Sequence, residues 1–260
     1  MDILICTHGR GPERQLTYKG LPADIRKRVK FVIQEREQDL WEPWESLVVL
    51  PDEIRELPTT REWIQHNMGT KVCMMDDDLV FATRREDDPT KFRAIEDGDL
   101  ERMFDHMNVA LDHYAHVGVS HREGANRNTE EYLFNTRMMR VLAYRTDVVV
   151  REGVVSNRTP DVEDFDVTLQ LLRKGYTNCI LNSWVHNQGG SDQSGGCSEY
   201  RTPLTHDRDV HIFADYHKGF VKVVKKKTKD GWGALEDGYR TDVIVQWKKA
   251  RQAGGEEKLL

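Results

Sequence analysis

"KVCMMDDDLVFATRR", residues 71–85, sets three consecutive aspartates directly behind a hydrophobic run. Adjacent like charges repel one another and make poor strand material. The apolar part reads as a short buried strand, and Asp76–Asp78 fall at its carboxyl edge. Carboxylates there can hold a metal ion, supply a nucleophile, or do no more than form an acidic turn.

Upstream of this stretch lie three similar runs, "DILICT" (2–7), "VKFVIQE" (29–35) and "SLVVLP" (46–51). Helical patterns separate them: "LPADIRKR", and "TTREWIQHN" with Thr59 or Thr60 as its cap. A β-α-β-α-β rhythm predicts an α/β fold with a mostly parallel sheet flanked by helices. Such sheets bind ligands at the carboxyl ends of their strands, where Thr7–Arg14, Glu35 and Asp76–Asp78 all converge.

Downstream, residues 98–117 predict one long amphipathic helix with Leu100, Met103, Phe104, Met107, Leu111 and Tyr114 on its buried face. "VGVSHREGANRNTEE" (117–131) reads as a functional surface loop. "MRVLAYRTDVVVREGV" reads as one or two strands. After it come an acidic helix start, a helix stopped at Gly175, a strand, and a flexible Gly/Ser segment. The expected organisation is one α/β domain over 1–205, with a helical, basic C-terminal extension over 206–260 packed on it.

The chain has 260 residues, 38% hydrophobic and 32% charged, which places it with ordinary soluble globular proteins. Its net charge of −6 argues against a protein that coats nucleic acid indiscriminately. No apolar run approaches a membrane span of roughly 18 residues, and the N-terminus turns polar too soon for a signal peptide. Cys6, Cys73, Cys179 and Cys197 are scattered, and three sit in apolar runs. Reduced, buried thiols in a cytoplasm follow from that pattern.

Four groups of residues carry possible chemistry. The aspartate triplet offers hard oxygen ligands suited to Mg²⁺ or Mn²⁺. In "DVEDFD", Glu163, Asp164 and Asp166 open a helix, where acidic residues meet the helix dipole but also offer a general base. His186, in "NSWVHNQGG", is either a hydrogen-bonded structural residue or the nitrogen partner of an Asp/His metal site. "CTHGRGPERQLT" (6–17) supplies glycines and arginines able to hold a phosphate or nucleobase, yet matches neither a dinucleotide fingerprint nor a P-loop.

Taken in order, these residues resemble a GT-A glycosyltransferase: Asp76-Asp77-Asp78 as its D-x-D, Val162-Glu163-Asp164 as its x-E-D, and His186 completing the metal site. Arg61 matches the arginine that faces the nucleotide diphosphate in that family. The resemblance covers roughly residues 1–200. The opening "THGR", "DDDLVFATRR", "VGVSHREGANRN" and "HKGFVKVVKKK" are more narrowly similar to the bacteriophage TET-associated glycosyltransferases, which act on 5-hydroxymethylcytosine in DNA.

That resemblance implies a UDP-sugar donor held by Thr7, Arg10, Arg14, Glu35, Arg61 and Asp76. It implies Mn²⁺ or Mg²⁺ on Asp78 and His186, and Asp164, with Glu163 as the fallback, as base in an inverting transfer. Asp77 has no implied role. Arg122, Arg127, Lys225, Lys226 and Lys227 are the implied DNA contacts, although the three lysines also fit a solvated basic helix end. A monomer or weak oligomer is expected, without membrane attachment, in the host cytoplasm if phage-encoded. A haloacid-dehalogenase-type phosphatase would continue its D-x-D with Gly-Thr, whereas Leu79-Val80 follow here. A non-catalytic nucleotide-sugar or DNA-binding module, and transfer to a protein or polysaccharide, are the remaining alternatives.

Overall fold

The computed structural model describes residues 1–188, 196–228, 234, 235 and 237–260, the side chains of residues 197 and 198 excepted. Most of the expected Gly/Ser segment and the Cys197 side chain therefore lie outside the described residues. The other three cysteines are buried and form no disulfide.

The four expected strands are present as β1 (Asp2–Cys6), β2 (Val29–Gln34), β3 (Leu47–Leu50) and β4 (Lys71–Asp76). Helices α1 (Leu16–Gly20), α2 (Ala23–Arg26) and α3 (Leu57–Asn67) connect them. After the aspartates come β5 (Leu79–Arg84), β6 (Phe92–Ala94), α4 (Asp99–Ala110), β7 (His116–His121), β8 (Tyr132–Phe134), β9 (Val141–Arg145) and α5 (Thr146–Arg151). The chain continues through α6 (Glu163–Arg173), β10 (Asn178–Gln188), α7 (Pro203–Tyr216), β11 (Val221–Lys227), β12 (Tyr239–Val245) and α8 (Trp247–Ala253).

Among the described residues, one large sheet runs β3-β2-β1-β4-β9-β7-β10-β5-β6, with β8 also paired to β10. The β1–β2, β2–β3, β1–β4 and β7–β10 pairs are parallel. Strands β5, β8 and β9 run against that common direction. The sheet is thus mostly parallel in strand direction. Its two faces are covered by separate clusters, one around Phe31, Phe104 and Met107, the other around Ile64, Tyr144 and Leu171.

Several local expectations are corrected. Helix α3 begins earlier, with Glu56 as its cap, and Thr59 closes a reciprocal capping box from the third helical position. The predicted helix over 98–117 stops at Ala110, though Leu100, Met103, Phe104, Met107 and Leu111 are all buried as expected. Residues 117–121 belong to β7, not to a loop, because "HVGVSH" is drawn between β9 and β10. Gly118 permits this packing, since a Cβ there would lie 3.1 Å from Met138 Cγ and 3.2 Å from Ile180 Cδ1.

"TDVVVR" is helical despite its three valines. Thr146 donates its N–H to Thr70 and its hydroxyl to the Gly69 carbonyl, which turns the chain out of the sheet after Arg145. Helix α6 ends in a Schellman arrangement, with Tyr176 N–H on Leu171 O, Gly175 N–H on Leu172 O, and Gly175 at φ +94°.

The C-terminal segment is more than the helical extension expected. Helices α7 and α8 flank an antiparallel β11–β12 hairpin, so Lys225–Lys227 lie on a strand and not at a helix end. Alternation of Val221 and Val223 with lysines sets that register. Those valines, with Val243, Val245 and Phe165, pack on a small core of Val162, Leu169, Leu172, Val210, Phe213 and Ala250 beside α6.

Candidate active site

A cleft of about 680 Å³ opens at the carboxyl ends of β1, β2 and β4. Its walls bring together Thr7, Arg10, Arg61, Asp76, Asp77, Asp78, Glu163 and Asp164, and so join the expected donor, triplet and base residues in one place. The volume suits a nucleotide-sized ligand.

The aspartate turn is held from the segment after β1. Thr17 donates its hydroxyl to the Asp76 carbonyl (2.6 Å), accepts the Leu79 N–H (2.8 Å), and donates its own N–H to the Asp77 carbonyl (3.0 Å). Asp77 turns inward, takes the Thr7 hydroxyl at 2.7 Å, and pairs with Arg10. Gln15 Nε2 in turn donates to Thr7 Oγ1 at 3.0 Å. Asp77 therefore ties the β1 loop to the turn, a role the sequence left blank. Three adjacent carboxylates are tolerable because two guanidiniums face them: Arg61 meets Asp76, and Arg10 meets both Asp77 and, at 3.5 Å, Asp78.

On the opposite wall, Arg61 is 4% exposed and joins two acidic motifs. Its Nη2 donates to Asp76 Oδ1 at 3.0 Å, and its Nη1 pairs with Glu163. These two carboxylates hold its proton more firmly than usual against the effect of burial. Arg201 adds a second guanidinium, 3.0 Å from Asp161 and 3.5 Å from Glu163.

The two acids at the start of α6 are thereby distinguished. Glu163 is 3% exposed and committed to arginines. Asp164 accepts the Phe165 N–H at 2.8 Å, and among the described residues it makes no ion pair. It is only half-buried by surface area, although protein surrounds it deep in the cleft. That burial, and the neighbouring Glu163 charge, push its carboxyl well above the ordinary range. Asp76 is also pushed up, to about 6, chiefly by burial, with Arg61 opposing. Asp166, the third acid of the motif, points away: it pairs with Arg158 and with His217 at 2.6 Å.

At the end of the cleft beside β2 and β3, two expected donor residues are absent. Glu35 and Arg14 are exposed and do not line it. Strand alternation turns Gln34 inward instead. Gln34 is 3% exposed, and its Nε2 donates to the Arg55 carbonyl at 2.8 Å. Because that partner only accepts, the amide orientation is fixed, and Oε1 is left buried without a hydrogen bond. Leu50 and Leu57 line the same end. Arg137 and Arg140 also line the cleft and have no side-chain hydrogen bond or ion pair among the described residues. "NTRMMR" carries no motif that would have pointed to them.

The expected metal ligands are only partly placed. Asp78 lines the cleft; Gln188 Nε2 donates to its Oδ2 at 2.8 Å, and Oδ1 is buried without a hydrogen bond. His186 is fully buried and is not among the cleft-lining residues. Its register partner His121 lines the cleft, with the ring centroids 5.5 Å apart. Neither His186 ring nitrogen makes a hydrogen bond of standard geometry. Burial, with His121 and Arg140 nearby, pushes its pKa down to about 3, while the Val119 and Met139 carbonyls pull weakly upward. Among the described residues no three acidic, histidine or cysteine side chains form a closed metal cage. A hard cation held by one carboxylate and by ligand phosphates fits the open Asp78 oxygen; a protein-only site does not.

The expected acceptor residues lie outside the cleft wall. Arg122 and Arg127 are exposed on the segment after β7, and Arg122 sits 5.7 Å from the Phe92 ring centroid. Lys225 pairs with Asp237 at 3.0 Å and Lys226 with Asp242 at 2.7 Å, all near the surface. Arg240, Asp242 and Val243 of β12 do line the cleft, which brings the C-terminal hairpin to the site.

The sequence model of the TET-associated glycosyltransferase family matches residues 1–196. No curated protein gives a significant match. Among solved structures, Staphylococcus aureus TarS residues 1–349 with UDP aligns at 10% identity and TM-score 0.45, over 83% of this chain and 65% of that one. TarS 1–349 without UDP gives 11% and 0.42, over 82% and 64%. GalNAc-T7 with UDP, GalNAc and Mn²⁺ gives 11% and 0.43, over 83% and 49%. The chain thus spans less than two-thirds of each of these structures. Among the described residues, no helix is long and apolar enough to cross a membrane.

Proposed function

The chain belongs to the TET-associated glycosyltransferase family, and on that premise we propose that it moves a sugar from a UDP-sugar to the hydroxymethyl group of 5-hydroxymethylcytosine in DNA. The observation that carries this reading is the division of labour at the start of α6. Glu163 is locked to Arg61 and Arg201, while Asp164 faces the cleft that holds the aspartate turn, with no ion pair among the described residues.

In this reading, uracil lies at the Gln34 end, where the unpaired Oε1 accepts its N3–H and Leu50 and Leu57 flank the ring. A cytosine ring would present a lone pair at that position, and so is disfavoured. Arg137 and Arg140 approach the diphosphate. Asp76, kept in place by Arg61, faces the sugar side. Asp78 would hold Mn²⁺ or Mg²⁺ together with the diphosphate, and the ion supplies Lewis-acid neutralisation of the leaving UDP.

Asp164 accepts the proton of the acceptor hydroxyl. The hydroxyl oxygen forms the new bond to the anomeric carbon from the face opposite UDP, the bond to the diphosphate oxygen breaks, and the configuration inverts. A carboxylate whose affinity for protons is raised is the better base near neutral pH. A base stacked in a duplex must be flipped to enter, at a cost of a few kcal/mol.

A panel of UDP-sugars with Mn²⁺, offered with 5-hydroxymethylcytosine DNA and unmodified DNA and read by nucleoside mass spectrometry, tests the reading. Glycosylated 5-hydroxymethylcytosine from at least one donor supports it. Donor turnover with no nucleoside product, but transfer to a protein or polysaccharide, moves the acceptor elsewhere.

A further inference from the structure

The hairpin at the cleft mouth has two unlike faces. Its register pairs Val221 with Val245 and Val223 with Val243, and these side chains pack on the small core beside α6. Pairing also sets Lys222 opposite Ile244, Val224 opposite Asp242, and Lys226 opposite Arg240, all on the other face. Lys222 and Lys226 are exposed there, and Ile244 is 52% exposed. Arg240 and Asp242 of this face line the cleft that contains Asp164, joined there by Val243 of the other face.

We propose that the β11–β12 ribbon is the docking arm for the acceptor nucleic acid, its Lys222/Lys226/Ile244 face lying against the DNA around the target base. The inference rests on the DNA-acceptor reading above and deepens it. Three features support a DNA occupant. A two-stranded antiparallel ribbon matches the width of the major groove, about 12 Å, and the 5-hydroxymethyl group projects into that groove. Lys222 has no ion pair among the described residues, and Lys226 is exposed and shares its partner Asp242 with Arg240 at 3.3 Å, so a phosphate can take the place of that carboxylate beside Lys226. The same face carries apolar Ile244 and Val224, which suit sugar and base edges more than a purely ionic surface would.

The arm also separates residues that the sequence groups together. Lys226 lies on the docking face, whereas Lys225 and Lys227 share the face of Val221 and Val223.

The test is a fluorescence-anisotropy titration of a 5-hydroxymethylcytosine duplex with the full chain over a salt series. Wild type is compared with Lys222→Glu/Lys226→Glu and with Lys27→Glu/Lys71→Glu, an equal charge change at the amino ends of β2 and β4. UDP affinity by calorimetry is measured for each as the check on folding. The ribbon variant is expected to bind DNA at least about tenfold more weakly, with the log–log salt slope reduced by about 1.8 for two lost phosphate contacts. Its UDP affinity stays at the wild-type value, and the control variant binds DNA as wild type does. Unchanged DNA affinity and slope in the ribbon variant, while wild type binds DNA, overturn the inference alone. Wild-type protein that binds UDP but no DNA overturns the DNA reading itself.

Discussion

Arg61 and Glu163 lie 102 residues apart in sequence and form a buried ion pair on the cleft wall. The same guanidinium holds Asp76, so one side chain of α3 fixes both the first aspartate of the turn and the acid beside Asp164. Nearly all of this charge is removed from solvent, and a buried pair deprived of one partner leaves an uncompensated charge.

Arg61→Met should therefore cost about 3–5 kcal/mol of stability, read by urea unfolding. Glu163→Gln keeps a hydrogen-bond acceptor for Arg61 and should cost less. Equal costs would mean that the arginine is not the hub of the site.

The acid limb of the transfer rate should follow Asp164. A base works only when deprotonated, and Asp164 holds its proton to higher pH than an ordinary carboxylate. Activity should be lost as pH falls through that raised value. Glu163→Gln removes the neighbouring negative charge and should shift the limb to lower pH. A limb that stays in place would separate the two acids.

Gln34→Leu should weaken UDP binding by about 5–30-fold, as expected for about 1–2 kcal/mol from a lost buried hydrogen bond. Calorimetry with UDP and CDP checks it. Discrimination between the two should fall with the affinity. Glu35→Ala, by contrast, should leave UDP affinity unchanged.

Asp78→Ala should abolish the Mn²⁺-dependent part of UDP binding and leave a metal-independent remainder. Titrations with and without EDTA separate the two. If the Mn²⁺ dependence persists in the variant, the ion is held elsewhere.

Stability should fall on mild acidification through His116. Burial lowers its pKa from 6.5 to about 3, with only the Tyr176 carbonyl at 3.3 Å opposing. A depressed histidine contributes its stability above the unfolded pKa and loses it as pH falls toward the folded one. Between pH 7 and pH 5 the loss should be about 2 kcal/mol. His116→Gln should flatten that part of the unfolding curve.

The parallel half of the fold was legible because buried strands announce themselves as short β-branched runs, and the triplet marked the edge of the fourth. Two elements were misassigned where tertiary pairing overrode local pattern. "VGVSH" reads as the start of a polar surface loop, but is claimed by β9 and β10. "TDVVVR" carried strand residues, but is bent away by Thr146. In the site, short acidic motifs were readable because their charges are conspicuous. Glu35 stands out in the sequence and Gln34 does not, because charge is visible there and side-chain direction at a strand end is not. Arg137, Arg140 and Arg201 carry no local signal; only folding brings them to the cleft.

Asp164 is the proposed base of a sugar transfer whose donor it does not bind. Nucleoside mass spectrometry of 5-hydroxymethylcytosine DNA incubated with UDP-sugar and Mn²⁺, comparing wild type with Asp164→Asn alongside UDP calorimetry, tests it most directly. The expected result is a fall in product of about 10²–10⁴-fold with UDP affinity unchanged. Product formation near the wild-type rate, or loss of UDP binding together with activity, would contradict it.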